Sequence, residues 1–180
     1  MIDPKIKNII QDKDVAIVGN AQSLFREKRP IDQHEVVVRI NKGFPKMWGL
    51  LKGKIGERTD IWATSLALDE ETVKTQFNPK AILWCTPNWG SMNDYLRKEA
   101  IRLDRRDWQV MVDGLGARPS TGFMVIYYTF PCAKSITLYG FDFWSTPNFY
   151  TNNIHIGPHN PIKEKRVIEE LLKEKGKIIT

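Results

Sequence analysis

Two of the chain's three histidines lie four residues apart, in the stretch HIGPHNPIKEK that begins at His155. Histidine is the side chain whose ordinary pKa lies nearest neutrality, so His155 and His159 are candidate metal ligands or acid–base groups. A metal pair is disfavoured, because Gly157 and Pro158 interrupt the helix that would align both rings and no third ligand has suitable spacing. A general base and ordinary surface histidines remain as interpretations, with His159 the stronger candidate for the base.

Asparagines follow two short apolar runs that are typical of buried strands. VAIVGN ends in Gly19 and Asn20, and VVVRINKG reaches Asn41. A glycine allows close approach of a ligand to the backbone, and a carboxamide both donates and accepts hydrogen bonds. The alternative is a structural turn asparagine at either position. Neither a GxGxxG fingerprint nor a Walker phosphate loop is present.

The stretch GARPSTGF predicts an anion site at the start of a helix. Arg118 supplies a cation, Ser120 and Thr121 supply hydroxyls, and Gly122 follows in the expected first turn. Free N–H groups at a helix start bind anions. The alternative is an ordinary capped helix in which Gly122 allows close packing.

A long aromatic segment, GFDFWSTPNFY and beyond, precedes the two histidines and is typical of a lid or substrate platform. Tyr150 within it is a candidate donor to a phosphate. Glu164, five residues after His159, either orients the site or favours the dipole of the last helix. The triplet Asp12-Lys13-Asp14 looks like a metal-binding pattern, but it precedes the first strand, at the end of the sheet where ligands are not expected.

Alternating strands and helices predict one α/β domain over residues 1–180. We expect a Rossmann-like, mostly parallel twisted sheet of about six or seven strands, with helices on both faces. The predicted strands are VAIVG, EVVVRIN, DIWAT, AILWCT, WQVMVD and SITLYGFD. The predicted helices are LDEETVKTQF, MNDYLRKEAIRL, PSTGFMVIYYTF and NPIKEKRVIEELLKEKG, the last capped by Asn160 and ended by Gly176. Ligands of such sheets bind at the carboxyl ends of strands, which here are followed by residues 19–23, 41–44, 86–90, 114–121 and 141–159.

The basic composition suits an anionic ligand, an anionic membrane surface or nucleic acid, and it does not choose among them. Lys and Arg number 27 against 21 Asp and Glu, a net charge of +6, but the basic residues are scattered among acids. A nucleic-acid stripe is therefore not expected. Cys85 and Cys132 lie in or beside apolar runs and are predicted to be buried free thiols. No signal peptide or membrane span is evident, so we expect a cytoplasmic protein, with peripheral contact at an anionic inner membrane face as a hypothesis.

These stretches together resemble the sialyltransferases of glycosyltransferase family 29. The segments VAIVGN, IDQHEVVVRINKGF and GERTDIWAT resemble that family's large motif, RPSTGFMVIYYTFPCAKSITLYGFD resembles its small motif, and HNPIKE resembles its very small motif. The bacterial family 42 sialyltransferases are echoed as well, with Arg118 and Tyr150 at positions linked to phosphate binding. The sequence departs from the animal pattern at Val15, where the large-motif cysteine would stand, so Cys132 lacks that disulfide partner.

The resemblance implies inverting transfer of sialic acid from CMP-sialic acid to a sugar hydroxyl on a glycan or lipid-linked acceptor. It implies that the fold is a variant of the GT-A fold. It also implies His159 as the general base, with no divalent metal or other cofactor required. The expected substrate-binding residues are Gly19, Asn20, Asn41, Arg118, Ser120, Thr121, Gly122, Tyr150, His155 and Glu164. Two alternatives remain open: a transferase of another CMP-linked acidic sugar, of the Kdo or pseudaminic type, and a non-catalytic nucleotide-binding module.

Overall fold

The described residues of the computed structural model, 2–45, 54–151, 154 and 156–179, form a single sheet of seven parallel strands. The strands are β1 Asp14–Val18, β2 Val36–Ile40, β3 Ile61–Thr64, β4 Ala81–Trp84, β5 Ala100–Arg102, β6 Ser135–Tyr139 and β7 Gly176–Ile179. The helices are α1 Pro4–Ile10, α2 Glu70–Gln76, α3 Asp94–Glu99, α4 Arg105–Leu115, α5 Thr121–Thr129 and α6 Pro161–Lys175, with short 3-10 helices at Gln22–Phe25, Ile31–Gln33 and Trp89–Ser91. The predicted Rossmann-like α/β class is confirmed.

The strand order is β5-β4-β3-β2-β1-β6-β7. The chain moves outward from β1 to β5 on one side, then crosses to β6 and β7 on the other side. The order therefore reverses beside β1, and the connections leaving β1 and β6 diverge there. Such a reversal opens a crevice at the carboxyl ends of the strands, where α/β proteins bind ligands.

Both faces of the sheet are covered, because successive residues of each strand point to opposite faces. In β1, Val15 and Ile17 belong to one core cluster, and Ala16 and Val18 belong to another. The larger cluster also contains buried side chains of α1, α4, α5 and α6. On the opposite face lie the two smaller clusters, which include side chains from α2, α3 and two of the 3-10 helices.

One fully buried charge anchors β2 to the segment that precedes β3. The guanidinium of Arg39 is 1 % exposed and donates to the carbonyl oxygens of Ile55 at 2.8 Å and Arg58 at 3.0 Å. Desolvation lowers the pKa of Arg39 to about 10, and the nearby carboxylates of Asp32 and Glu57 act in the opposite direction. These carbonyl bonds satisfy a charge that burial would otherwise penalise heavily.

The prediction of a strand at WQVMVD is wrong, because these residues lie in α4. The carboxylate of Asp104 caps that helix by accepting from the N–H of Arg106 at 2.7 Å, and Gly116 ends it in the left-handed conformation, φ 60°. Met111 and Leu115, four residues apart, face the core. A short run of apolar and polar residues fits either period, and here the caps and the four-residue spacing decide for a helix.

The fifth strand lies instead in the stretch MNDYLRKEAIRL, which was predicted to be helical throughout. Its helix, α3, ends at Glu99, and Ala100–Arg102 pair with β4 as β5. At the other end of the chain, Gly176 follows the last helical residue as predicted, but it also begins the seventh strand. The predicted caps of α6 are confirmed, since the Asn160 side chain accepts from the N–H of Lys163. Cys85 and Cys132 are buried free thiols, also as predicted.

Candidate active site

A cavity of about 190 Å³ lies at the carboxyl edge of the sheet, beside the reversal of strand order. Four of the five segments expected to carry the chemistry contribute to its wall. The lining residues are Gly19, Asn20, Ala21, Ile40, Asn41, residues 120–123 and 140–144, and Thr146, Asn148, Tyr150, His159, Glu164 and Ile168. Nine predicted site residues thus share one cavity.

Asn20 presents an unsatisfied acceptor in this wall. The side chain is 6 % exposed, and its Nδ2 donates to the carbonyl oxygen of Ile40 at 3.1 Å. Because a carbonyl oxygen only accepts, the atom that faces Ile40 must be the amide nitrogen of Asn20. The amide oxygen, Oδ1, is then the acceptor at the other position of the carboxamide. Within the described part of the chain, this buried Oδ1 has no hydrogen-bond partner. A ligand hydroxyl or amine would satisfy it.

Asn41 links β2 to the start of α5. Its backbone is left-handed, φ 48°, and its Nδ2 lies 3.3 Å from Oγ1 of Thr121. Its Oδ1 accepts from the N–H of Ser65 at 3.0 Å, and Ser65 Oγ lies 2.9 Å from Thr121 Oγ1. The three side chains form a closed polar network that holds the carboxamide of Asn41 at the edge of the cavity.

The first turn of α5 directs N–H groups at the cavity. Ser120 is the cap, and its Oγ accepts from the N–H of Phe123 at 3.1 Å. The N–H groups of Thr121 and Gly122 also belong to this turn, where no preceding helical carbonyl is available to accept them. Both residues line the cavity. This arrangement can bind an anion, because the helix dipole and the two N–H groups act together.

Glu164 of α6 contacts Ser120, the residue that caps α5. Its Oε1 accepts from the N–H of Ser120 at 2.8 Å and its Oε2 accepts from Ser120 Oγ at 2.6 Å. The residue is 1 % exposed. Burial raises the pKa of Glu164 from 4.5 to about 7, although the two bonds from Ser120 favour the charged form. Glu164 therefore contacts the residue that caps α5, and it also lies in the first turn of α6.

His159 lies just before α6 and is partly exposed. Its Nδ1 lies 2.8 Å from the carbonyl oxygen of Arg118, and its ring contacts the ring of Trp144, with centroids 5.7 Å apart. Since that carbonyl oxygen can only accept, Nδ1 carries the proton, and a neutral ring then holds its lone pair on Nε2. The orientation of the ring is therefore suited to proton acceptance at Nε2.

The aromatic segment after β6 closes one side of the cavity. Gly140, Phe143 and Trp144 have positive φ values of 67°, 52° and 64°, so the chain turns sharply as it leaves β6. It returns beside β1, where Phe149 donates its N–H to the carbonyl oxygen of Asn20 at 2.8 Å. Tyr150 follows in the cavity wall, and burial raises its pKa, partly offset by the Asn20 side chain.

Two of the predicted glycines lie in close contacts. A Cβ on Gly19 would lie 2.4 Å from the carbonyl oxygen of Gly140, and one on Gly122 would lie 2.7 Å from Cε1 of Phe141. Gly19 therefore lets β1 pass close to the turn after β6. This contact requires a glycine there whether or not a ligand approaches.

Among the described residues, Arg118 is the predicted site residue that does not line the cavity. The Arg118 side chain is exposed and points into a neighbouring depression, with Nη2 3.5 Å from Oγ1 of Thr86. Only the Arg118 carbonyl oxygen reaches the site, through His159. His155 lies outside the described residues.

Sequence reasoning did not single out Ser65, Asp142 or Trp144. Ser65 directly follows β3, and the other two follow β6, so their positions after strands were the available signal. Asp142 also stabilises the turn after β6, since its side chain accepts from Thr146 Oγ1 at 2.5 Å.

Among the described residues, no three His, Cys, Asp or Glu side chains are grouped as a metal site would require. Asp14 of the DKD triplet is the first residue of β1, at the amino edge of the sheet, as expected. In the part of the chain that the structure covers, no helix combines the length and apolar character needed to cross a membrane.

The fold and the position of the cavity place the chain among Rossmann-like α/β proteins with a glycosyltransferase-like fold. Solved structures define it more closely. The chain is similar to a mammalian sialyltransferase, with a TM-score of 0.66 and 16% identity over 99% of this chain and 73% of that one. It is equally similar to a mammalian sialyltransferase in complex with Gal-beta-1-3GalNAc-ortho-nitrophenol, with a TM-score of 0.65 and 16% identity over 99% of this chain and 74% of that one. The sialyltransferase-like fold expected from the motifs is confirmed. No protein-family model and no curated protein matches the sequence.

Proposed function

We propose that this chain is an inverting glycosyltransferase that transfers sialic acid from CMP-sialic acid to a hydroxyl of a glycan or lipid-linked saccharide. The observation that carries the proposal is the convergence of His159, the N–H groups of α5 and the two asparagines on one cavity. The similarity to sialyltransferase structures supports the same activity.

The phosphate of the donor binds at the start of α5. Thr121 and Gly122 supply N–H groups there, and Tyr150, which also lines the cavity, supplies a hydroxyl. The Oδ1 of Asn20 accepts from a donor hydroxyl or from the cytosine amine, which satisfies its buried acceptor. The cavity is smaller than the roughly 300–1,000 Å³ of typical ligand sites, so part of the donor and the acceptor lie over the adjoining surface.

His159 acts as the general base. Nε2 takes the proton of the acceptor hydroxyl while the hydroxyl oxygen forms a bond to the anomeric carbon of sialic acid. The bond from that carbon to the phosphate oxygen of CMP breaks at the same time. Attack on the face opposite the leaving phosphate inverts the configuration. The CMP that leaves is a phosphate monoester, already stable as an anion, so hydrogen bonds from α5 and Tyr150 stabilise it without a strong acid.

The proposed reaction needs no divalent metal. A diphosphate leaving group commonly uses a metal to neutralise its charge, whereas a monophosphate needs less. We also expect a cytoplasmic location with contact at anionic membrane faces. Co-sedimentation with anionic and neutral vesicles tests the membrane contact, and equal recovery with both would exclude it.

The first test is calorimetric titration of CMP, UDP, GDP and AMP in the presence of EDTA. The proposal predicts binding of CMP alone. Transfer from CMP-sialic acid to a panel of sugar acceptors is then measured with and without EDTA. Binding of UDP or GDP in place of CMP would overturn the donor assignment, and CMP binding with turnover only of a CMP-linked Kdo or pseudaminic acid would change the donor sugar. Absence of binding by all four nucleotides would favour a non-catalytic module.

A further inference from the structure

A second depression of about 280 Å³ adjoins the cavity at the ends of β3 and β4. The hydrogen bond between Ser65 and Thr121 separates the two, since Ser65 belongs to the wall of the depression and Thr121 to the wall of the cavity. Both lie on the carboxyl edge of the sheet. The depression therefore continues the candidate active site toward β5.

Its wall combines one cation, an aromatic ring and several neutral polar groups. Arg118 carries the only charge among the described residues that line the depression. Among the described residues, the hydroxyl of Thr86 is the only side-chain group that forms a hydrogen bond with this guanidinium, at 3.5 Å. The indole N–H of Trp108 is buried in the same region and has no acceptor within the described chain. A planar guanidinium with its fork of donors exposed is suited to a carboxylate or a phosphate.

A larger open groove extends this surface to the edge strand. The guanidinium of Arg102 lies over the ring of Trp89, 5.0 Å from its centroid, and the ring is 40% exposed. Arg105 lines the same groove and lies three residues before Trp108 on α4, so the two side chains share a helix face. Arg106, Asp104 and Asp3 also line the groove, and the two carboxylates cap α4 and α1. Three arginines, two acids that cap helices and an exposed tryptophan thus line the groove.

We infer that the depression and groove, from Arg118 to Arg102, bind the acceptor as an oligosaccharide that carries acid groups. This inference rests on the proposed function. Exposed tryptophans offer flat faces for sugar rings, and the arginines bind carboxylates or phosphates on those sugars. The donor carries a single sugar beyond its phosphate, whereas this surface runs past the ends of β3, β4 and β5. An acceptor of several sugars fits that length.

Arg118 connects the two sites through its backbone. Its carbonyl oxygen orients the ring of His159, and its side chain faces the depression. An acid group bound by the guanidinium would therefore contact the same residue whose carbonyl oxygen orients the proposed base, His159. Arg118 acts as a specificity-determining residue by its side chain and as a positioning residue by its carbonyl group.

The test compares binding of lactose, sialyllactose and a hyaluronan oligosaccharide to the full chain by calorimetry, with CMP present. Lactose and sialyllactose differ by one acidic sugar. We expect sialyllactose or the hyaluronan oligosaccharide to bind about tenfold more tightly than lactose, as one charge-assisted contact would give. Arg118→Gln and Arg102→Gln should each lower the affinity for the acidic sugars toward that of lactose. Arg166→Gln removes an exposed arginine of α6 outside the groove and should leave every affinity unchanged.

Separate measurements distinguish the possible failures. Loss of CMP binding in the wild type would count against the proposed function and not against the groove. CMP binding with equal affinity for lactose and both acidic sugars would overturn the inference. Selective weakening of CMP-sialic acid relative to CMP in Arg118→Gln, with acidic-sugar binding unchanged, would assign Arg118 to the donor and also overturn it. The inference would also be overturned if Arg118→Gln and Arg102→Gln lost binding to anionic vesicles but retained binding to the acidic sugars.

Discussion

Ser120 and Glu164 are joined by two hydrogen bonds that tie the start of α5 to the first turn of α6. The carboxylate of Glu164 receives both the N–H and the Oγ–H of Ser120, at 2.8 and 2.6 Å, and Ser120 in turn caps α5. The stretches RPSTGF and HNPIKE therefore meet in one contact. It positions the N–H groups that line the cavity.

Glu164 should make stability depend on pH. Its pKa is about 7 in the folded chain against an ordinary 4.5, so the folded state holds a proton that the unfolded state has lost between these values. The free energy of unfolding should therefore fall as the pH rises from about 5 to 7, by at most about 1.4 kcal/mol per pH unit. Urea unfolding of the wild type and of Glu164→Gln across this range measures the difference. The same dependence of the free energy of unfolding on pH in both proteins would contradict this role of Glu164.

His159→Ala should abolish most transfer activity while CMP binding is retained. Loss of a general base typically costs about 10²–10⁴-fold in rate. Single-turnover transfer and CMP calorimetry provide the two readouts. His34→Gln is the matched control, because that ring lies between Asp14 and the hydroxyl of Tyr139 and does not line the cavity. Equal rates for wild type and His159→Ala would exclude His159 as the base.

Asn41 should contribute to binding and to stability separately. Its φ of 48° suits glycine better than alanine. Asn41→Gly and Asn41→Ala both remove the carboxamide, so both should weaken CMP binding by roughly tenfold. Asn41→Ala should unfold more easily than Asn41→Gly by about 1 kcal/mol. Thermal melts and CMP titrations of the pair separate the two effects, and unchanged CMP affinity in both would remove Asn41 from the binding site.

Gly19→Ala should destabilise the fold by about 1–3 kcal/mol, because the added Cβ would lie 2.4 Å from the carbonyl oxygen of Gly140 and backbone must move. Gly114→Ala is the contrasting control. A Cβ there meets nothing within 4 Å, and alanine favours the helix by about 0.5–1 kcal/mol. Denaturant unfolding should therefore shift in opposite directions for the two variants. A stable Gly19→Ala protein would show that β1 and the turn after β6 can separate.

Much of the candidate site was predictable because parallel strands bring their carboxyl ends to one edge. Asn20 and Asn41 follow β1 and β2, and these strands are neighbours in the sheet. Ser120 and Thr121 begin a helix whose N-terminus points at that edge. The position of His159 at the same cavity followed from the motif resemblance, since neither periodicity nor spacing places a loop residue in space.

The misassigned segments have a common physical cause. WQVMVD lies in α4 and Ala100–Arg102 forms β5, although the local patterns suggested a strand and a helix respectively. Both stretches are short and mix apolar with charged residues, so the local preference for either structure is weak. Pairing with β4 and packing against the sheet supply the missing free energy, and these act only once the chain is folded.

The sequence by itself determined the fold class, the strands β1 to β4 and β6, the helices α2, α5 and α6, and the polar groups at the strand ends. Apolar runs, caps and turn residues act over a few neighbours, and these interactions can be recognised along the chain. Only the tertiary structure decided that Glu164 is buried against Ser120, and that Arg118 offers its carbonyl oxygen to His159 and its guanidinium to a separate depression. Those contacts join residues about forty positions apart, and they depend on how α5 and α6 pack together on the sheet.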